Sequence, residues 1–535
     1  MGVIILLAAL AAGLAPCVSA TPHGPPKGPA AAALLYFKNR GENAYNPELL
    51  DLVSIPSVSS LPENQADLLR AATWLEQRMQ TAGLQNVRII PTEGPRPVVY
   101  GEHLHAPGAP TALIYGHYDV QPAEDTAPLW TSPPFKPELR LDRFWGRGVH
   151  DDKGSGVLPP LQAIEALLRT GGRLPLNIKV MLEGEEEVGS PHLDAFLAAH
   201  AQLLACDFVL SADGGQISET QPSLSLGLRG ALAVQVDLTT AKVDVHSGMA
   251  GGAVQNPARA LAQLLATMWH PNNSVAIAGW YDNVRPITDA DRDDMLAYNF
   301  DEERELLGPL GAAEAVGEAG YSSLERLWHR PTLEIVGMGS GFQGEGIKTI
   351  VPHRAFAKLA ARLVPDQTPD EIEALIRAHV SAHLPPATNV TIRALGFRAH
   401  PYTQAKDSMP NRVAAQVLER LMGHPPKYVR SGATIPALAA FQKHLNATTT
   451  VYAFGLPDGN LHAPDENLPV SMYRLARKAW VEYLCALGEE AAAEAAAAAQ
   501  ASASGGTEAE ESEAAAEAAA GGEGSADQTA ERSEL

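Results

Sequence analysis

Apolar residues recur at helical spacing over residues 66–82 and stop at Gly83, the mark of an amphipathic helix with a glycine at its end. Short apolar runs at 98–100, 112–115, 178–182 and 208–210 read as strands. Between them, 156–168 and 193–204 read as helices. Strands alternating with helices of this length predict an α/β sheet covered on both faces. In such sheets the functional residues gather where strands end. His117, Asp119, Glu186, Glu187 and Asp213 all lie just past a strand-like run.

The pattern changes near residues 227–230. Residues 231–238 alternate like a half-exposed strand, 256–268 form a helical stretch, and 355–364 alternate again. A helix at 368–382 and a strand at 390–394 complete two strand-helix-strand passages, which predict a compact α+β insertion. Helical and strand signals resume after residue 399 and end in a helix over 472–487. The prediction is a larger domain in two pieces, 32–227 and 398–488, interrupted by a smaller one at 228–397.

Composition changes the picture mainly at the termini. The chain has 535 residues, 45% of them hydrophobic, enough for a sizeable core. Half of the net charge of −22 lies in residues 489–535, which hold 12 acidic residues and one basic one, Arg532. That Ala, Glu, Gly and Ser segment cannot build a core and is expected to be a disordered acidic tail, of which Glu489–Gln500 could extend a helix. No basic stripe points to nucleic acid. Residues 3–14 form an apolar run too short to span a bilayer, leading to the small-residue pattern Val18-Ser19-Ala20. Residues 1–20 therefore read as a signal peptide and 21–31 as a Pro/Gly-rich linker. The expectation is a secreted or periplasmic protein, cytoplasmic if the segment is not a signal and membrane-associated only if it stays uncleaved. Cys206 and Cys485, the cysteines left after cleavage, are too few for a disulfide framework.

Five short motifs carry candidate chemistry. In Gly116-His117-Tyr118-Asp119-Val120 the His and Asp sit two positions apart on a strand end and point to the same side. A metal-ligating imidazole needs its other nitrogen fixed, and a carboxylate serves; a buried structural pair is the alternative. Gly148-Val149-His150-Asp151-Asp152-Lys153-Gly154 sets two carboxylates side by side, which repel unless cations neutralise them. Glu183-Gly184-Glu185-Glu186-Glu187 has room for one carboxylate on a metal and a neighbour that moves protons. Asp213, in Ser211-Ala212-Asp213-Gly214, would alone be read as a turn residue. Leu461-His462-Ala463-Pro464-Asp465-Glu466-Asn467 offers a distant His in a loop held by Pro.

Taken in order, these motifs resemble the co-catalytic metallopeptidases that include carnosinases, bacterial dipeptidases, aminoacylases and glutamate carboxypeptidases. The resemblance runs over residues 32–487, and the Asp-Asp-Lys-Gly form and long insertion are most similar to the carnosinase and dipeptidase branch. It implies a di-metal catalytic domain with a mixed sheet flanked by helices, interrupted by an α+β lid or dimerisation domain. By the same resemblance Asp151 bridges two divalent ions, His117 and Asp213 complete one site, and Glu187 and His462 complete the other. Zinc suits such a donor set, with manganese or cobalt as alternatives. The resemblance further implies that Asp119 clamps His117, that Glu186 is the general base, and that the bond after Asp151 is cis. Lys242-Val243-Asp244-Val245-His246-Ser247-Gly248 matches the segment whose His reaches across a homodimer, making His246 the candidate oxyanion donor. Thr349, Arg362 and Thr434 match substrate-contacting positions. His-Ala-Pro-Asp-Glu-Asn stands where His-Ala-Pro-Asn-Glu is commoner, and Thr434 stands where Ser is often found. The implied activity is hydrolysis of the amide bond of dipeptides or short peptides. The alternatives are an N-acyl amino acid amidohydrolase or carboxypeptidase on the same scaffold, and a metal-loaded binding protein without turnover.

Overall fold

A computed structural model describes residues 27–123 and 129–520. The expected signal peptide lies outside the described residues. The expected linker ends early, because Gly28–Arg40 is already a helix with Ala30, Ala33 and Phe37 buried. Pro29 fits its first turn, where a missing N–H leaves no bond unmade.

The four predicted strands join two unpredicted ones, Gln85–Ile90 and Thr448–Val451, in one six-stranded sheet. In spatial order these are Gln85–Ile90, Val98–His103, Asn177–Glu183, Thr111–His117, Phe208–Ser211 and Thr448–Val451. The first two pairings are antiparallel and the other three parallel. The sheet is therefore mixed. The central residues 112–115 are fully buried, as two covered faces demand. One face packs against Leu158–Gly171 and the last helix, the other against Leu193–Leu204 and Pro436–Leu445. The sixth strand comes from beyond the insertion, so the sheet is completed only when the chain returns.

The inserted unit is a four-stranded antiparallel sheet ordered Thr332–Ser340, Arg354–Leu363, Gly230–Thr239 and Asn389–Ala399. Alternation along Arg354–Leu363 sends Ala355, Ala357, Leu359, Ala361 and Leu363 into a core beneath Pro257–Ala266 and Pro369–His383. The opposite face carries Lys358, Ala360 and Arg362. The edge strand Thr332–Ser340 and the short helices Asp289–Tyr298 and Ser323–His329 are additions to the predicted elements.

The last helix spans Val470–Ala520, well past the predicted 472–487. The acidic segment from 489, expected to be disordered, continues as helix to Ala520. Alanine and glutamate have high helix propensity, and the packed first turns supply the nucleus. Among the described residues no helix is long and apolar enough to cross a membrane. Trp480 in this helix is fully buried, with its ring 5.3 Å from Tyr452 and perpendicular to it. Trp480→Ala is expected to lower stability by about 3–5 kcal/mol. Urea unfolding of the two proteins measures this.

Candidate metal centre

The parallel strands deliver three groups to one rim. His117 is the last residue of its strand and pairs in register with Glu183, and Tyr115 pairs with Ser211. The chain segments that follow carry Asp119, Glu186 with Glu187, and Asp213. Asp119 is fully buried and does more than face His117. Its carboxylate lies 3.4 Å from His117 Nδ1 and accepts the backbone N–H groups of Glu186 at 3.2 Å and Glu187 at 3.1 Å. The Asp119 carbonyl also accepts from His117 Nδ1 at 3.1 Å. One residue thus orients the imidazole and the acidic turn together.

Asp151 comes from the loop between Arg143–Trp145 and Leu158–Gly171, and the Asp151–Asp152 peptide is cis. Glu466 holds this loop from beneath. Its buried carboxylate accepts the N–H groups of Gly148 (3.0 Å), His150 (2.9 Å) and Asp151 (3.0 Å) and pairs with Arg147 at 2.8 Å. Lys153, also buried, donates to the carbonyls of Leu52 at 3.3 Å and Ile55 at 2.9 Å, and burial pushes its amine down to about 7. Asp152 packs so closely on Gly156 that a Cβ there would sit 1.9 Å from its Oδ1. His462 arrives on the loop before Asn467–Pro469, which pairs with Arg143–Trp145. That small sheet ties the two distant loops together.

The predicted ligands meet in two overlapping groups. His117, Asp151 and Asp213 offer donor atoms within 4.8 Å of one another, as do Asp151, Glu187 and His462. Asp151 belongs to both: its Oδ1 is 3.0 Å from His117 Nε2 and its Oδ2 is 2.9 Å from His462 Nε2. His462 Nε2 is also 3.3 Å from Glu187, whose carboxylate accepts from Gln121 at 2.7 Å. Glu186 belongs to neither group. His462 is half exposed while the other donors are more deeply set, so the centre opens on its side. A cavity of about 420 Å³ adjoins it, with Asp151, Asp213, Gln216, Ser431 and Leu461 in its wall.

The electrostatics suit cations. Burial and then the repulsion of Asp213, Glu187 and Asp151 push the Glu186 carboxyl well above its ordinary range, although His117 pulls the other way. Glu187 is raised by burial and Asp151. Asp213 is pushed up to about 7, by burial first and then by Asp151 and Glu187 against the pull of His117. Burial would lower His117, yet its bonds to Asp119 and Asp151 raise it well above the usual imidazole range. Bonds to Asp151 and Glu187 raise His462 to about 10. Burial would raise Asp151, but the two imidazoles hold it well below the carboxylate range. Protons are thus retained where positive charge is needed. A divalent ion in each group would displace them and leave neutral imidazoles and ionised carboxylates as ligands. The donor set fits two such ions.

The remaining predicted residues form two further pairs. His246 and Thr349 lie side by side and exposed, on the short ladder of Val245–His246 with Ile350–Val351, where Ser247 N–H donates to the Thr349 carbonyl at 3.0 Å. Among the described residues neither hydrogen-bonds to the acidic cluster. Arg362 and Thr434 meet directly, Nη1 donating to Oγ1 at 2.8 Å. Sequence reasoning quoted Glu466 in the His462 motif but assigned it no role, and it overlooked Gln121 altogether. Two residues past Asp119, Gln121 had only its nearness to the first motif as a signal.

Known proteins resemble this chain in sequence and fold. The sequence profile of peptidase family M20/M25/M40 matches residues 113–486. A Cys-Gly metallodipeptidase of Candida albicans is 30% identical over 445 residues, covering 79% of this chain and 90% of that protein. The human Beta-Ala-His dipeptidase is 27% identical over 425 residues, covering 77% and 83%. The crystal structure of an M20 family metallo-carboxypeptidase from Sulfolobus solfataricus matches with a TM-score of 0.75 at 32% identity, covering 84% of this chain and 99% of that one. The profile takes in most of the chain and every predicted site residue, and the chain belongs to peptidase family M20/M25/M40 as a metal-dependent peptidase.

Proposed function

We propose that this protein is a dipeptidase working with two divalent ions, zinc in the first place, with manganese or cobalt as alternatives. The observation that carries the reading is the pair of donor groups hinged on Asp151, with Glu186 beside them and outside both. Metallodipeptidases among the similar proteins support it. When bound, the ions supply Lewis-acid polarisation of the scissile carbonyl and acidify the attacking water. Glu186, turned into place by its backbone bond to Asp119, takes the proton of that water as oxygen adds to the carbonyl carbon. It returns the proton to the amine nitrogen as the carbon–nitrogen bond breaks. Arg362, oriented by Thr434, suits the substrate carboxylate.

In this reading residues 32–227 and 398–488 are the catalytic domain, and 228–397 are the lid and dimerisation domain. His246 and Thr349 act on the active site of the second subunit of a homodimer. Their exposure and their separation from the cluster within one chain support that arrangement. The apolar start at 1–20 supports export. A carboxypeptidase reading is favoured by one observation, the 32% identity to the metallo-carboxypeptidase. Rates on dipeptides, longer peptides and N-acyl amino acids, compared side by side, separate these activities.

Chelation is expected to abolish dipeptide hydrolysis, and zinc or manganese add-back to restore it. Glu186→Gln is expected to keep its metal content by mass spectrometry and lose about 10²–10⁴-fold in kcat. Undiminished turnover by that metal-loaded variant would remove Glu186 from the mechanism. Glu466→Gln is expected to weaken metal affinity about 10- to 100-fold, because the loop carrying Asp151 loses its anchor; metal-buffered activity titration measures it. His246→Ala is expected to lower kcat about 10²–10³-fold. Mixing it with Glu186→Ala should restore activity through hybrid dimers, in which one site has both residues. A mixture as inactive as its components would place His246 outside the partner's site.

A further inference from the structure

Arg229 is the single residue between the strands Ser223–Leu228 and Gly230–Thr239, where the chain first passes into the inserted unit. Its backbone is tied to the returning chain. The N–H donates to the Ser431 carbonyl at 3.2 Å, and its own carbonyl accepts from Thr434 Oγ1 at 2.6 Å. The side chain is 8% exposed, and Glu334, the acidic group that acts on it, forms no ion pair with it. Nε has no hydrogen-bond partner, and the guanidinium's one bond, from Nη1 to the Arg330 carbonyl, is 3.4 Å long. Among the described residues it forms no ion pair. A buried cation that lacks a paired counter-charge is costly, so such a group invites an anion from outside.

The surroundings fit that role. Arg229 and Arg362 line one cavity of about 500 Å³, with Glu334 and Tyr281 beside them and Leu306 and Leu327 as apolar wall. Glu334 faces Arg229 without pairing with it. Ala231 stands opposite Arg362 in the sheet register, and Ala360 precedes it on the same face, so small side chains leave room above the sheet. Gly432 allows the approach, because a Cβ there would lie 2.6 Å from Arg229 Nη2. Burial, and then the like charge of Arg362, pushes the Arg229 guanidinium down to about 10. Two adjacent cations favour a ligand with two negative groups. The metal centre is near: Ser431, bonded to Arg229, is in the wall of the cavity that holds Asp151 and Asp213. Thr434 links the two arginines, accepting from Arg362 and donating to the Arg229 carbonyl.

We infer that Arg229 is a specificity residue that takes a second carboxylate, on the side chain of the leaving amino acid, while Arg362 holds the α-carboxylate. The preferred substrates are then dipeptides ending in Glu or Asp. This rests on the dipeptidase reading. The test compares kcat/KM of the metal-loaded enzyme on Ala-Glu and Ala-Gln, for wild type and Arg229→Met, with unfolding midpoint and metal content checked for each. Wild type is expected to favour Ala-Glu about 10- to 100-fold, the span of a hydrogen bond to a charged group. In Arg229→Met that ratio should fall to near one, and Arg229→Lys should keep part of it. Equal wild-type rates, or an equal loss on both substrates in Arg229→Met, would overturn the inference. If Arg229→Met does not fold, the wild-type ratio and Arg229→Lys decide. If neither dipeptide is cleaved, the dipeptidase reading fails, and calorimetric titration with free glutamate and glutamine judges Arg229 separately. Tighter glutamate binding that Arg229→Met removes upholds it; equal binding overturns it.

Discussion

The carboxylate of Glu466 has no solvent exposure and takes hydrogen bonds from the N–H groups of Gly148, His150 and Asp151. Those three donors belong to the loop that carries Asp151, and Glu466 is the acceptor of each. Without Glu466 they would be buried and unpaired, at about 1–3 kcal/mol each. The same glutamate lies four residues beyond His462 and next to the strand that pairs with Arg143–Trp145. Its bonds therefore join the two loops that face each other across the centre. The positions of Asp151 and His462 both depend on this one group.

Around that anchor the acidic and imidazole groups of the centre shift one another strongly. Glu186, Glu187 and Asp213 are all pushed upward, and Asp151 and its neighbours push both imidazoles upward as well. Burial sharpens these shifts, since the surrounding strands are enclosed, residues 112–115 on both faces, and water screens the charges little. Arg229 presents the opposite sign of the same problem at the junction of the two units. Unmatched charge at two neighbouring points, one acidic and one basic, suits a ligand that carries cations at one end and carboxylates at the other. A peptide bound to metal is such a ligand.

Much of this was legible in the chain. Strand ends at His117, Glu183 and Ser211 follow from short apolar runs, and the helix ending before Gly83 from its spacing. The insertion shows in the alternation of 354–363, whose leucines and alanines, Ala360 excepted, turn to one core. Thr332–Ser340 escaped because its solvent-facing residues, Ile335, Val336 and Met338, are apolar and hide the period of two. Asp289–Tyr298 and Ser323–His329 are brief, and only the capping boxes at Thr288 and Ser322 marked their starts. The last helix ran past its predicted end because alanine and glutamate carry no stop signal.

By itself the sequence determined the element types, the order of the motifs and the kind of donor each motif supplies, since these follow from side-chain chemistry and local period. Tertiary structure decided which donors share an ion. Asp151 turns one oxygen to His117 and the other to His462, 34 and 311 positions away in the chain, and no local pattern encodes that meeting. It also decided that Glu466 is an anchor, that Asp119 fixes the acidic turn as well as the imidazole, and that Arg229 is buried without an ion pair among the described residues. Each of these is a matter of burial and of bonds between distant segments, which exist only once the sheet has closed around its sixth strand.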